Sequence, residues 1–327
     1  MEKIAVVGAG SWGTTLACLL GDKGYNVVLW SFEEEVVDQI NTKKENTKYL
    51  PGIKIPETVK PSTSLKDVVL DSNIVITSVP SQFLRSVAKK FSEFVAKDTI
   101  IVDVAKGLEH GTNKRMSEIL EEELRPDVKI VALSGPNHAE EVSRKIPTAT
   151  VVASKDKECL EIVKEVFTTK HFKVFPHDDI AGVEICGAMK NITAIATGVC
   201  DGLGLGDNAH GAIITLGLTE MNEFGRAFGA KRATCYGLAG VGDLVATCTS
   251  KHSRNRFVGE QLAKGKSIEE IKKEMNGMVA EGVPTTQAVY EFSEKNGLNM
   301  PLTKQAYKVI YEGKDLKEAI ADLLKVI

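Results

Sequence analysis

The chain has 327 residues, more than one core of ordinary size can hold, so two domains are expected. Hydrophobic residues make up 43% and charged residues 26%, which excludes an intrinsically disordered protein. A net charge of −3 gives no general attraction to nucleic acid or to acidic membranes, so any anion must be held by a local site.

The first element is the most informative. Lys3-Ile4-Ala5-Val6-Val7 reads as a buried strand, and Thr14-Thr15-Leu16-Ala17-Cys18-Leu19-Leu20 opens a helix. Between them lies Gly8-Ala9-Gly10-Ser11-Trp12-Gly13, a G-x-G-x-x-G in the strand-turn-helix setting of a Rossmann dinucleotide site. Gly8 permits the tight turn, Gly10 lets a pyrophosphate reach the backbone, and Gly13 lets helix and strand pack closely. The first amides of the helix then face the diphosphate.

Tyr25–Trp30 reads as the second strand. Its end decides between NAD and NADP: an acid there binds the ribose 2′-hydroxyl, and an arginine nearby favours the 2′-phosphate. Ser31-Phe32-Glu33 carries neither marker cleanly, since Glu33 is within reach of the ribose but reads more readily as an ordinary first-turn helix residue, so the cofactor is NAD or NADP. A helix is expected over 34–40, and a polar stretch over 41–58 reads as a structureless loop, either a flap over the cofactor or a solvated excursion. Strands follow over 73–80, 99–105, 129–134, 148–153 and 172–175. The helix opening at Ser81-Gln82 carries Phe83, Leu84, Val87, Phe91 and Phe94 at helical spacing, a stripe read as core. Lys106-Gly107 leaves the 99–105 strand at its C-terminal end, where ligands of such sheets bind; a plain surface lysine in a turn is the alternative.

Beyond Pro176 no strand is evident. The fold class is therefore an α/β Rossmann-type domain, 1–182, followed by an all-α domain, 183–327, that binds substrate and carries catalysis. Long buried helices are expected over 183–199 and 208–228, with a glycine-rich link over 202–206, and shorter amphipathic helices after 253. Lys190 lies inside the first of these buried runs, so it needs either an acidic partner or a task in proton transfer. Asp243 in Gly240-Val241-Gly242-Asp243-Leu244 is a candidate partner for it or binds a hydroxyl; a plain helix cap is the alternative. Ser253-Arg254-Asn255-Arg256 offers a hydroxyl, an arginine fork and a helix start, which suits a phosphate; a capped helix with a solvated arginine is the alternative.

The six cysteines show no C-x-x-C pair, so buried free thiols and a cytoplasmic location are expected. The histidines have no ligand spacing, and no metal is assigned. No signal peptide or spanning segment is read, so no membrane insertion is expected. A homodimer is compatible with the sequence, but no stretch marks an interface.

Gly8–Gly13 as Gly-Ala-Gly-Ser-Trp-Gly, Lys106-Gly107, Gly135-Pro136, Lys190-Asn191, Gly240–Leu244, Thr247-Cys248-Thr249-Ser250, Ser253-Arg254-Asn255 and Glu281-Gly282-Val283 occur in that order. In these residues the chain closely resembles the bacterial NAD(P)-dependent glycerol-3-phosphate dehydrogenases, over essentially its full length. The resemblance implies interconversion of sn-glycerol 3-phosphate and dihydroxyacetone phosphate, a small phosphorylated substrate, in the supply of glycerol phosphate for phospholipids. It implies Lys190 as proton acceptor, with Lys106, Gly135, Asn137, Asp243, Ser253, Arg254 and Asn255 lining the substrate. It further implies that Ser11, Trp12, Lys106, Ala139, Arg254, Val279 and Glu281 touch the cofactor. Asn137 departs from the serine or threonine usual there, and Ser31-Phe32 lacks the usual basic residue for a 2′-phosphate. Another reductase of the same plan, acting on a hydroxy acid, and a non-catalytic nucleotide sensor are the competing readings.

Overall fold

Side chains of strand β1 (Lys3–Val7) alternate between two cores. Ile4 and Val6 enter one buried cluster with Leu16 and Leu20, while Ala5 and Val7 enter another with Leu84, Val87 and Phe91. A strand buried on both faces in this way needs helices above and below it, which is the parallel α/β solution. The structure, a computed structural model, describes residues 2–275 and 277–325. Its chain divides into two units. One comprises the residues up to Ala105 together with Met116–Ile180; the other comprises Lys106–Arg115 and the residues from Ala181 onwards.

The first unit holds all ten strands found among the described residues: β1, β2 (Asn26–Trp30), β3 (Glu45–Asn46), β4 (Leu50–Lys54), β5 (Val59–Ser62), β6 (Ile74–Thr77), β7 (Ile100–Asp103), β8 (Lys129–Ser134), β9 (Thr148–Ala153) and β10 (Phe172–His177). Eight form one sheet in the order β10-β9-β8-β7-β6-β1-β2-β5. Its ladders are parallel except for β8 against β9. The chain leaves β1 towards β2 on one side and returns to β6 on the other. The C-terminal end of β1 is thus the switch point, where a doubly wound sheet binds its ligand.

Two sequence expectations fail here. The stretch over 41–58 is not structureless: β3 and β4 form an antiparallel hairpin, and β5 follows as the edge strand beside β2. Pro51 in β4 and Pro61 in β5 hid these strands, because a proline lacks the amide that a central ladder needs. At an edge or in a two-stranded hairpin that loss is tolerated. Phe83 also leaves the expected core stripe. Ser81–Phe83 forms a separate short turn ahead of the Leu84–Phe91 helix, and Phe83 is 58% exposed.

In the second unit the helices Ile180–Leu203 and Asp207–Ala227 form the centre. Gly198 and Gly259 let the Ile180–Leu203 and Arg254–Ala263 helices meet backbone to backbone, since a Cβ on Gly259 would lie 1.9 Å from the Ile195 carbonyl oxygen. The shorter helices include Gly282–Asn296, Pro301–Glu312 and Leu316–Leu323. Glu220 is buried and caps the Pro301–Glu312 helix from a neighbouring helix. It accepts hydrogen bonds from the Leu302 amide, the Thr303 amide (3.1 Å) and the Thr303 hydroxyl (2.6 Å). Burial pushes its pKa up to about 7, against the pull of those hydrogen bonds. The folded chain therefore keeps a proton that the unfolded chain releases above the ordinary value of 4.5. Stability from this group is complete below that value and is lost as pH rises through about 7. We expect Glu220→Gln to remove on the order of 3 kcal/mol of pH-dependent stability across that window. Urea denaturation of both proteins from acid to neutral pH measures it; parallel curves would refute the assignment.

Candidate active site

In the first unit the glycine turn is built as its sequence requires. Gly8 has φ +119°, and a Cβ there would lie 2.5 Å from the Ser78 carbonyl oxygen. A Cβ on Gly13 would lie 1.9 Å from the Gly8 carbonyl oxygen, so the Ser11–Asp22 helix closes directly onto the turn. At Gly10 a Cβ would meet open space, and Gly10 caps the helix with no side-chain hydrogen bond. The indole Nε1 of Trp12 is buried without a hydrogen-bond partner. Uncapped helix amides, open space over Gly10 and an orphaned indole N–H together fit a dinucleotide diphosphate laid on this turn.

Gly135, Asn137 and Ala139 follow β8 in the same unit. Gly135 has φ +142° and sits against Thr150. Asn137 is buried and donates from Nδ2 to the Thr150 hydroxyl (3.0 Å), which donates to the Ser134 carbonyl (2.9 Å). Ala139 opens a short helix, and its carbonyl accepts from the Thr15 hydroxyl (3.3 Å), which ties it to the helix after the glycine turn.

The second unit holds a compact ionic cluster. Asp243 lies at the start of the Asp243–Thr249 helix and is almost wholly buried. Its Oδ1 accepts from Lys190 Nζ at 2.8 Å and its Oδ2 from Lys106 Nζ at 2.7 Å. Lys190 also donates to the Thr247 hydroxyl (2.6 Å), which sits 3.3 Å from Asp243 Oδ1. Two of the three donors of the Lys190 ammonium are thereby used. Burial pushes Lys106 down to about 8; the Asp243 carboxylate partly opposes this and the neighbouring Lys190 adds to it. Burial works against ionisation of Asp243, but the two ammonium groups overcome it and hold its carboxyl below the usual range. Of the readings left open for Asp243, ion pairing is realised with both lysines at once, and the Thr247 hydroxyl lies beside Oδ1 as well.

Around this cluster Asn191 and Asn255 make a relay. Asn191 Nδ2 donates to the Lys106 carbonyl (3.1 Å), and its Oδ1 accepts from Asn255 Nδ2 (2.9 Å). Asn255 Oδ1 accepts from the Gly282 amide (2.8 Å), which fixes the chain just after Val279 and Glu281. Ser253 caps the Arg254–Ala263 helix, its hydroxyl accepting from the Arg256 amide at 3.2 Å. Arg254 is exposed, with its guanidinium unpaired among the described residues. Arg256, by contrast, is tied to Asp201 and Glu260. Thr247 and Asn191 stand in the ordered motifs, but sequence reasoning assigns neither a role. Thr247 was within reach, because it lies one helical turn beyond Asp243 on the same face. Asn191 was not, since nothing local distinguishes its neighbours.

Residues 3–160 match the family described as NAD-dependent glycerol-3-phosphate dehydrogenase N-terminus, and residues 179–321 match its C-terminus. The chain belongs to the NAD-dependent glycerol-3-phosphate dehydrogenase family. Among its relatives is a glycerol-3-phosphate dehydrogenase [NAD(P)+] of Chlorobium limicola, 50% identical over 324 residues, which are 98% of this chain and 97% of the relative. Another, of Bacillus thuringiensis, is 47% identical over 99% of this chain and 96% of the relative. The crystal structure of glycerol-3-phosphate dehydrogenase from Coxiella burnetii superposes with a TM-score of 0.95 at 40% identity, covering 99% of this chain and 98% of that one. Family membership makes the chain an NAD(P)-dependent oxidoreductase, and glycerol-3-phosphate dehydrogenase is the activity that membership supports. No helix among the described residues is long and apolar enough to cross a membrane.

Proposed function

We propose that the chain interconverts dihydroxyacetone phosphate and sn-glycerol 3-phosphate, with Lys190 as the acid-base, and that it supplies glycerol phosphate for phospholipid synthesis. The observation that carries this reading is the pair of ammonium groups, Lys106 and Lys190, held on one buried carboxylate. A nucleotide sensor has no use for such an array.

When bound, the nicotinamide supplies or accepts the hydride. Lys190 does the rest at the oxygen. In reduction its remaining N–H meets the substrate's C2 oxygen, and the proton passes to that oxygen as the carbon gains hydride. Lysine is left neutral and the product is an alcohol. Asp243 and Thr247 keep the Nζ of Lys190 aimed throughout. Lys106 stabilises the developing oxyanion, a role worth roughly 3 kcal/mol for one well-placed donor. Arg254 supplies the cation for the substrate phosphate, and Ser253 and Asn255 hold the helix start from which it extends. Gly8, Gly10, Ser11, Trp12 and Gly13 take the nucleotide diphosphate; Ala139, Val279 and Glu281 complete the cofactor contacts that the family pattern implies. The six free, buried cysteines suit a reducing cytoplasm.

The test is oxidation of NADH and of NADPH, followed by absorbance with dihydroxyacetone phosphate. Arg254→Ala should raise KM for that substrate by about 100-fold while changing KM for unphosphorylated dihydroxyacetone little. Equal effects on both substrates would remove Arg254 from phosphate binding. No turnover with either nucleotide would remove the activity itself.

A further inference from the structure

The hairpin that the sequence concealed lies beside the end of β2. Asn46, in β3, is fully buried. Its Nδ2 donates to the Ala9 carbonyl in the glycine turn (2.8 Å) and to the Thr14 hydroxyl (2.9 Å), and its Oδ1 accepts from the Tyr49 amide (3.1 Å). The tip between β3 and β4, Thr47-Lys48-Tyr49, is therefore anchored to the glycine turn. At this tip Lys48 pairs with Glu33, and the Tyr49 hydroxyl donates to the other oxygen of the same carboxylate (2.7 Å). Glu33 caps the Glu34–Lys43 helix that follows β2. Phe32 beside it is 83% exposed.

Strand register places these residues together beyond the C-terminal ends of β1 and β2. Val7 pairs with Trp30, and the Gly8 amide donates to the Trp30 carbonyl (3.1 Å), so Phe32-Glu33 and the glycine turn emerge side by side. A nucleotide whose diphosphate lies on the glycine turn sends its adenosine ribose to the end of the second strand. The sequence offers no arginine there. The fold offers an ammonium, brought from 15 residues further along the chain and parked on an acid.

We propose that Glu33 and Lys48 together read the 2′ position of the adenosine ribose: Glu33 accepts the 2′-hydroxyl of NAD, and Lys48 leaves Glu33 to bind the 2′-phosphate of NADP. This assignment rests on the dinucleotide lying along the glycine turn. An exposed ion pair is weak, and the side chains of Lys48 and Glu33 are 31% and 30% exposed. A dianionic phosphate makes stronger charge-assisted bonds to an ammonium than a single shared carboxylate does, so the exchange is favourable. One site then accepts both nucleotides without an arginine at the strand end. Tyr49 retains Glu33 when Lys48 departs, which keeps the carboxylate from entering the phosphate's place.

Calorimetric titration of the full chain with NADH and with NADPH tests this directly. Lys48→Gln should weaken NADPH by about tenfold and leave NADH within about twofold, and Lys48→Arg should preserve NADPH binding. Glu33→Gln should weaken NADH and leave NADPH as tight or tighter. Equal loss of both nucleotides in Lys48→Gln, or loss of neither, overturns the proposal. Gly10→Asp separates it from the reading beneath it: that change puts a charge in the diphosphate position and should abolish both nucleotides. If both still bind, the glycine-turn placement fails, whatever Lys48 does.

Discussion

Lys190→Met should lower kcat for reduction of dihydroxyacetone phosphate by about 1,000-fold and leave the affinity for NADH unchanged. The size follows from what is removed. A positioned general acid contributes roughly 100- to 10,000-fold, and here the same ammonium also balances the buried Asp243 carboxylate. Methionine matches the lysine stem in length and adds no unsatisfied polar group. Asp243 keeps Lys106 at 2.7 Å, so the helical unit stays folded and the loss appears in kcat. Steady-state kinetics with a parallel NADH titration checks this. A kcat within about tenfold of wild type would show that another group, or water, moves the proton.

Asp243→Ala is expected to have the largest structural effect. It strips two ammonium groups of the one carboxylate they share, with Lys190 itself buried. Removing one partner of a buried ionic group costs about 3–5 kcal/mol, because a charge is left uncompensated in a poor solvent. Catalysis falls with it, since Asp243 is the group that raises the pKa of Lys106 against burial. Without it Lys106 loses its proton more readily and no longer opposes an oxyanion. The double variant Asp243→Ala, Lys190→Met decides whether this account is right. Deleting one stranded ammonium should recover part of the lost stability in a urea titration. A double variant no more stable than Asp243→Ala would mean that Asp243 acts through packing or helix capping instead.

Much of the architecture was legible along the chain. Strand β1, its glycine turn and the alternation of strand and helix up to β10 follow from local patterning, and so does the helical second half. The hairpin and β5 were not legible, because Pro51 and Pro61 lack the amide that a ladder uses, a loss that edge positions forgive. Phe83 reads as core by its helical spacing, yet a short turn ahead of the helix sends it outwards. In the site, Lys190 announced itself as a charge inside an apolar run. For Lys106 the position at a strand end pointed to ligand, but its carboxylate partner is 137 residues away.

By itself the sequence determined the kinds of groups present: a turn that only glycines can make, a lysine that had to be buried, and ordered motifs that specify the family. These are local properties, set by backbone freedom, side-chain periodicity and the cost of desolvating a charge. Tertiary structure decided which groups meet. One carboxylate serves two lysines, a pair of asparagines ties Lys106 to the chain after Glu281, and Asn46 brings Lys48 to Glu33 beside the glycine turn. Hydrogen bonds between residues far apart in the chain leave no periodic trace in it, so the pairing that sets charge and aim at the site emerges only once the elements have packed.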